Sequence, residues 1–122
     1  MQTLQQKYAS RVYTKIKAYE ENEDRKKYGA MALKLPILIH TAGLAQALAF
    51  VQSRGKKPFD QLLEDLAQVV NEKDAESFVK KSREVKLEEY IYLTKQTMTA
   101  LEWFKRYAQS ILKVETTDAA ED

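Results

Sequence analysis

Pro36-Ile-Leu-Ile-His-Thr-Ala-Gly-Leu-Ala-Gln-Ala-Leu-Ala-Phe-Val-Gln-Ser53 is the stretch on which the fold turns. Ile37, Leu38, Ile39, Leu44, Leu48, Phe50 and Val51 alternate with small residues Ala42, Gly43, Ala45, Ala47 and Ala49. A helix apolar on nearly every side is buried, and its small residues let neighbours approach closely. Proline suits the first turn of a helix and disfavours the α conformation of the residue before it. The stretch therefore predicts a central helix opening at Pro36 and running to about Ser53.

Upstream, Leu4, Tyr8, Val12, Ile16 and Tyr19 recur at helical spacing and predict an amphipathic helix over about 3–20. Lys7, Arg11 and Lys15 run along one of its edges as a basic stripe. After the acidic Glu20–Asp24, Tyr28, Met31, Ala32 and Leu35 form a short second helix that ends before Pro36. Downstream, Arg54 to Pro58 make a basic turn, and Phe59, Leu62, Leu63, Leu66, Val69 and Val70 give a fourth helix. Asp74 is placed to cap a short fifth helix carrying Phe78 and Val79. The last helix spans about Lys86 to Lys113, with Leu87, Tyr90, Ile91, Met98, Leu101, Phe104, Ala108, Ile111 and Leu112 inward. The reading is all-α: a single compact bundle of about six helices over residues 1–114, with a long C-terminal helix. Residues 115–122, acidic and without bulky apolar side chains, are expected to be a disordered tail.

With 122 residues, no cysteine and one histidine, the chain lacks the means for disulfides, thiolate chemistry or imidazole-rich metal centres. Three glycines at 29, 43 and 55 form no phosphate loop. There is no run long and apolar enough for a bilayer and no signal-peptide pattern, so a cytoplasmic protein without membrane contact is expected. His40 lies in the predicted central helix and reads as a packed structural residue, not a general base. Glu20-x-x-Glu23 and Asp60-x-x-x-Glu64 are the only arrangement left for catalysis, as Mg²⁺ ligands of an all-α nucleotide pyrophosphatase. Solvated helices carry such pairs routinely, and no cofactor is expected.

The net charge of +2 conceals polarity along the chain. Residues 1–57 hold eleven Lys and Arg against four acids, giving +7, whereas residues 114–122 hold four acids and no base, giving −4. Clustered cations suit a polyanion, because phosphate binding requires positive charge on one surface and no particular motif. Most of the tyrosines, at 8, 13, 19, 28, 90, 92 and 107, fall on apolar stripes and read as core.

Two segments add a resemblance. Lys34-Leu-Pro-Ile-Leu-Ile-His-Thr-Ala-Gly-Leu-Ala-Gln-Ala-Leu-Ala-Phe50 resembles the buried helix of the small-subunit family of type III-B CRISPR RNA-silencing (Cmr) complexes, the fifth Cmr protein. Glu89-Tyr-Ile-Tyr-Leu-Thr-Lys-Gln-Thr-Met-Thr-Ala-Leu-Glu-Trp-Phe-Lys-Arg-Tyr-Ala108 is similar to that family's C-terminal helix, with its Trp-x-Lys/Arg-Arg-aromatic-Ala ending. Spacing, length and order fit across the whole chain.

The resemblance implies an all-helical, non-catalytic subunit of an antiviral ribonucleoprotein. It implies copies stacked as a minor filament beside backbone subunits that hold the guide RNA and cleave the target. Expected partners are guide RNA, target RNA, other Cmr subunits, above all the backbone subunit, and further copies of this chain. The RNA-binding residues expected are Arg11 and Lys15 on charge patterning, with Lys34, Lys95, Lys105 and Arg106 inside the family-like segments. Glu102, one turn before Arg106, is its expected i,i+4 ion-pair partner. Trp103 and Tyr107 are assigned to packing. The other readings are an adaptor that binds proteins without touching RNA, and the Mg²⁺-dependent pyrophosphatase.

Overall fold

Pro36 does not open a helix. The structure is a computed structural model describing residues 1–120, and in it α1 is Leu4–Ala18, α2 Arg25–Ala42, α3 Leu44–Ser53, α4 Lys57–Val69, α5 Ala75–Glu84, α6 Leu87–Ser110 and α7 Thr116–Ala120. Pro36 lies inside α2. The reason is the continuity of one apolar stripe: Tyr28, Met31, Ala32, Leu35 and Ile39 are all buried. An interior proline costs about 3 kcal/mol, and each large apolar side chain fully buried returns roughly 1.5–3 kcal/mol. Packing on both sides of Pro36 outweighs its local preference.

The break falls instead at Gly43, whose φ of 89° and ψ of 160° define a conformation essentially reserved for glycine. The Gly43 N–H donates to Ile39 O at 2.8 Å and its carbonyl accepts from Ala47 N–H at 3.0 Å, so one residue ends α2 and starts α3. This split corrects the single central helix over 36–53. Ile37, His40, Thr41, Ala42 and Gln46 face outward, and α2 is the helix buried at the centre, packed against α3, α4, α6 and α7. His40 is thus an exposed residue, not a packed one.

Local hydrogen bonds cap two other helices, the second of them as the sequence predicts. Thr3 and Gln6 form a reciprocal capping box on α1. The Asp74 carboxylate accepts from Ser77 N–H at 2.8 Å, which caps α5 and holds that carboxyl below its ordinary range.

Helix α6, with 24 residues, is about 36 Å long and crosses the molecule. Its inner stripe is Leu93, Thr97, Ala100, Leu101, Phe104 and Ala108. Leu87 and Ile91, expected inward, are exposed, as is Tyr92, because no other helix among the described residues covers the first turns of α6 on that side.

The C-terminus also differs from expectation. Lys113 takes a left-handed φ of 60°, the chain turns back, and Val114 N–H donates to Ala108 O at 3.1 Å. Val114 is buried, and α7 lies on α2 with Ala119 half-buried against the core. Lys26 Nζ donates to Lys113 O at 2.8 Å and stands 3.9 Å from the Asp118 carboxylate. Lys26, at the start of α2, thus meets the acidic segment expected to be disordered. Glu121 and Asp122 of that segment lie outside the described residues.

Candidate nucleic-acid interface

The six cations expected to bind RNA separate into three groups. Arg11 and Lys15 form an internal clasp between α1 and the C-terminal end of α4. Arg11 Nη1 donates to Val69 O at 3.2 Å and to Asn71 Oδ1 at 3.3 Å, and Lys15 Nζ donates to Gln68 Oε1. A cation is favoured at a helix C-terminus, where carbonyls lack partners. Arg11→Ala is expected to lower stability by about 1 kcal/mol in urea unfolding and to leave RNA affinity at the wild-type value. An RNA defect at unchanged stability would return Arg11 to the interface.

Lys34 belongs to a second group. Its Nζ lies 6.0 Å from the Phe50 ring centroid, and the Arg54 guanidinium lies 5.7 Å from Phe50 and 5.9 Å from Phe59. Lys56 Nζ is 5.5 Å from Phe59. Cations within about 6 Å of aromatic faces are held by the ring quadrupole. Arg54 and Lys56 fall outside the expected set, although the two phenylalanines flanking the basic turn are the sequence signal for this cluster.

Lys95, Lys105 and Arg106 form the third group, on α6. All three are exposed, and no described residue lies within ion-pair distance of their side chains. Lys95 and Arg106 are eleven residues apart, about three turns and roughly 16 Å along one face. Lys105 and Arg106 line a shallow groove with Glu102 and Gln109. The expected Glu102–Arg106 ion pair is not formed; both side chains face the groove instead.

An aromatic group borders this face. Trp103 packs on Tyr107 with ring centroids 5.8 Å apart, and Tyr13 meets Tyr107 edge-on at 5.6 Å. Tyr13 and Tyr92, 44% and 63% exposed, are not core, whereas Tyr8 and Tyr28 are fully buried.

The two acid pairs do not meet: Asp60 and Glu64 line a groove with Gln52 and Glu76, and neither Glu20 nor Glu23 is among its lining residues. Glu20 pairs with Lys17 at 2.8 Å in the turn after α1. Glu64 accepts from Ala75 N–H at 3.0 Å, at the start of α5. Among the described residues no group of three or more metal-ligating side chains could hold a metal ion, and no helix is long and apolar enough to cross a membrane.

The family profile described as CRISPR-associated protein (Cas_Cmr5) matches residues 4–111. The CRISPR system Cmr subunit Cmr5 of Thermus thermophilus is 44% identical over 113 residues, covering 93% of this chain and 99% of that protein. The crystal structure of a CRISPR-associated Cmr5 family protein from the same species superposes with a TM-score of 0.88 at 45% identity, over 92% of this chain and 99% of that one.

Proposed function

This chain belongs to the Cmr5 family of CRISPR-associated proteins, and from that membership we propose that it is a non-catalytic small subunit of a cytoplasmic type III-B Cmr effector complex. Its part is to hold guide or target RNA by electrostatic contact with the phosphate backbone. The observation that carries this reading is the set of exposed cations on α6, Lys95, Lys105 and Arg106, which form no ion pair among the described residues. Sequence is read by base pairing between guide and target, so the small subunit needs only to engage backbone and shape. Lys34, with Arg54 and Lys56, supplies a second patch of positive charge.

Copies of the chain stack beside the backbone subunit. The apolar surface of Leu87, Ile91 and Tyr92 at the start of α6 supports protein contact of this kind, since a neighbouring subunit would remove it from water. One domain neutralises few phosphates, so an isolated copy binds RNA weakly and an assembled filament sums the contacts.

The test is a titration of labelled single-stranded RNA at rising salt. Affinity is expected to fall as salt rises. The Lys95→Glu/Arg106→Glu double variant is expected to weaken binding at least about tenfold and to flatten the log–log salt slope by about 1.4, since each phosphate contact on a single strand contributes about 0.7. Salt-independent binding, or a double variant that binds like wild type, rejects the clamp. Co-assembly with the backbone subunit but no lysine crosslinks to RNA would leave the adaptor reading standing.

A further inference from the structure

Trp103, the one tryptophan in the chain, does not sit in the core. It is half-buried and lines a shallow groove with Gln5, Glu102 and Arg106, where α1 meets α6. Its Nε1–H donates to Gln5 Oε1 at 2.8 Å, and Tyr107 packs on it at an interplanar angle of 32°. The indole is therefore held in place before any ligand arrives. That groove shares Glu102 and Arg106 with the neighbouring one lined by Lys105 and Gln109, so aromatic surface and phosphate-seeking cations adjoin.

We infer that this groove takes one unpaired nucleobase of a single-stranded RNA, stacked on Trp103, with the adjoining phosphate on Lys105 and Arg106. The inference rests on the RNA reading proposed above and adds a base contact to it. Glu102 distinguishes a base from a bare phosphate. A carboxylate repels phosphate, but it accepts hydrogen bonds from the exocyclic amino groups of adenine, cytosine or guanine, which uracil lacks. Arg106 supplies the opposite function, donating to phosphate or to ring acceptors. Stacking is tolerant of sequence because every base has a π face, and a duplex keeps those faces covered.

The experiment titrates the full chain with four eight-unit probes: a single-stranded oligoadenylate, its abasic counterpart, a single-stranded oligouridylate, and an RNA duplex. Readouts are Trp103 emission and the anisotropy of labelled probe. Oligoadenylate is expected to quench the emission and to bind at least about fivefold more tightly than the abasic strand, since base stacking contributes about 1–3 kcal/mol per base. Trp103→Ala is expected to lose roughly 5- to 150-fold on the same basis. Trp103→Phe, which keeps a ring and the packing on Tyr107, retains most of the affinity, and both variants keep the wild-type salt slope. Oligouridylate is expected to bind more weakly than oligoadenylate, with Glu102→Gln narrowing the difference. Equal affinity for abasic and base-bearing strands, or unchanged emission on saturation, overturns the stacking site while salt-dependent binding leaves the phosphate clamp intact. Absence of salt-dependent binding to every probe overturns both readings. An emission shift that follows protein concentration without RNA overturns the site in favour of contact with a second copy.

Discussion

Gly29→Ala is expected to destabilise the protein, although alanine is the better helix former by about 1 kcal/mol. A Cβ at position 29 of α2 would stand 2.3 Å from Val114 Cγ2, 3.3 Å from Val114 Cβ and 3.4 Å from Ala108 Cβ. Val114 cannot turn aside easily: it is β-branched, stiff at χ1, and buried. The methyl group must therefore displace the returning segment after α6. Overpacking of this kind costs about 1–3 kcal/mol, which against a propensity gain of about 1 kcal/mol leaves a net loss of up to about 2 kcal/mol. The partner variant Val114→Ala loses about 1–2 kcal/mol by opening a cavity. Combining the two removes the offending Cγ2 from the path of the new methyl, so the double variant is expected to be more stable than the sum of the singles predicts, with a coupling of about 1 kcal/mol or more. Urea unfolding of the four proteins measures this directly. A Gly29→Ala protein as stable as wild type, or strictly additive losses, would show that the close approach of α2 and Val114 does not limit stability.

Tyr28→Phe is expected to cost about 1.5–3 kcal/mol at neutral pH, the range for a hydrogen bond to a charged group. The Tyr28 hydroxyl donates to Asp65 Oδ2 at 2.6 Å, and Gln61 Nε2 donates to Oδ1 at 2.9 Å. Asp65 is 5% exposed, and removing one of its donors leaves a buried carboxylate half satisfied. Burial raises the Asp65 carboxyl above its ordinary 3.8, although both hydrogen bonds and the Lys15 charge pull the other way. Burial, and then the adjacent Asp65 charge, pushes the Tyr28 phenol well above its ordinary 10.0.

Both shifts carry a sign in the pH dependence of stability. The folded protein holds the Asp65 proton more tightly than the unfolded chain does. That contribution is complete below pH 3.8 and is lost as pH rises through the raised folded value. Asp65→Asn, which keeps an acceptor for Tyr28 without the charge, is expected to abolish this slope and to match or exceed wild-type stability at neutral pH. The phenol contribution is complete below pH 10.0 and is lost as pH climbs above it, and Tyr28→Phe removes that alkaline slope. Unfolding free energies across an acid-to-alkaline series decide the matter; an Asp65→Asn protein with the wild-type acid profile would rule the mechanism out.

The fold class, the cap at Asp74 and the crossing helix α6 were legible in the sequence, because each follows from periodicity or from hydrogen bonds within a few residues. The α2–α3 junction was not. Local rules weigh Pro36 by its own ring and Gly43 as one small residue among several, whereas the buried stripe from Tyr28 to Ile39 carries the helix through the proline and leaves the reversal to Gly43. The same limit acted on the site. Spacing places Lys7, Arg11 and Lys15 on one edge of α1 but cannot say that the end of α4 lies against it, so Arg11 and Lys15 looked available when they are tied to Val69, Asn71 and Gln68. On α6 a straight helix keeps in space the order it has in sequence, so Lys95 and Arg106, eleven residues apart, stand on one exposed face. The same spacing assigned Leu87 and Ile91 to the core, since it registers an apolar face without knowing where the covering helix ends.

By itself the sequence determined an all-helical bundle and the polarity of charge along the chain, because these depend on residue type and helical period alone. Tertiary structure decided which cations are spent on internal carbonyls and which remain exposed, and where α2 ends. It also brought the acidic C-terminal segment back onto α2. Each of those outcomes depends on contacts between residues far apart in the chain, whose energies no local pattern contains.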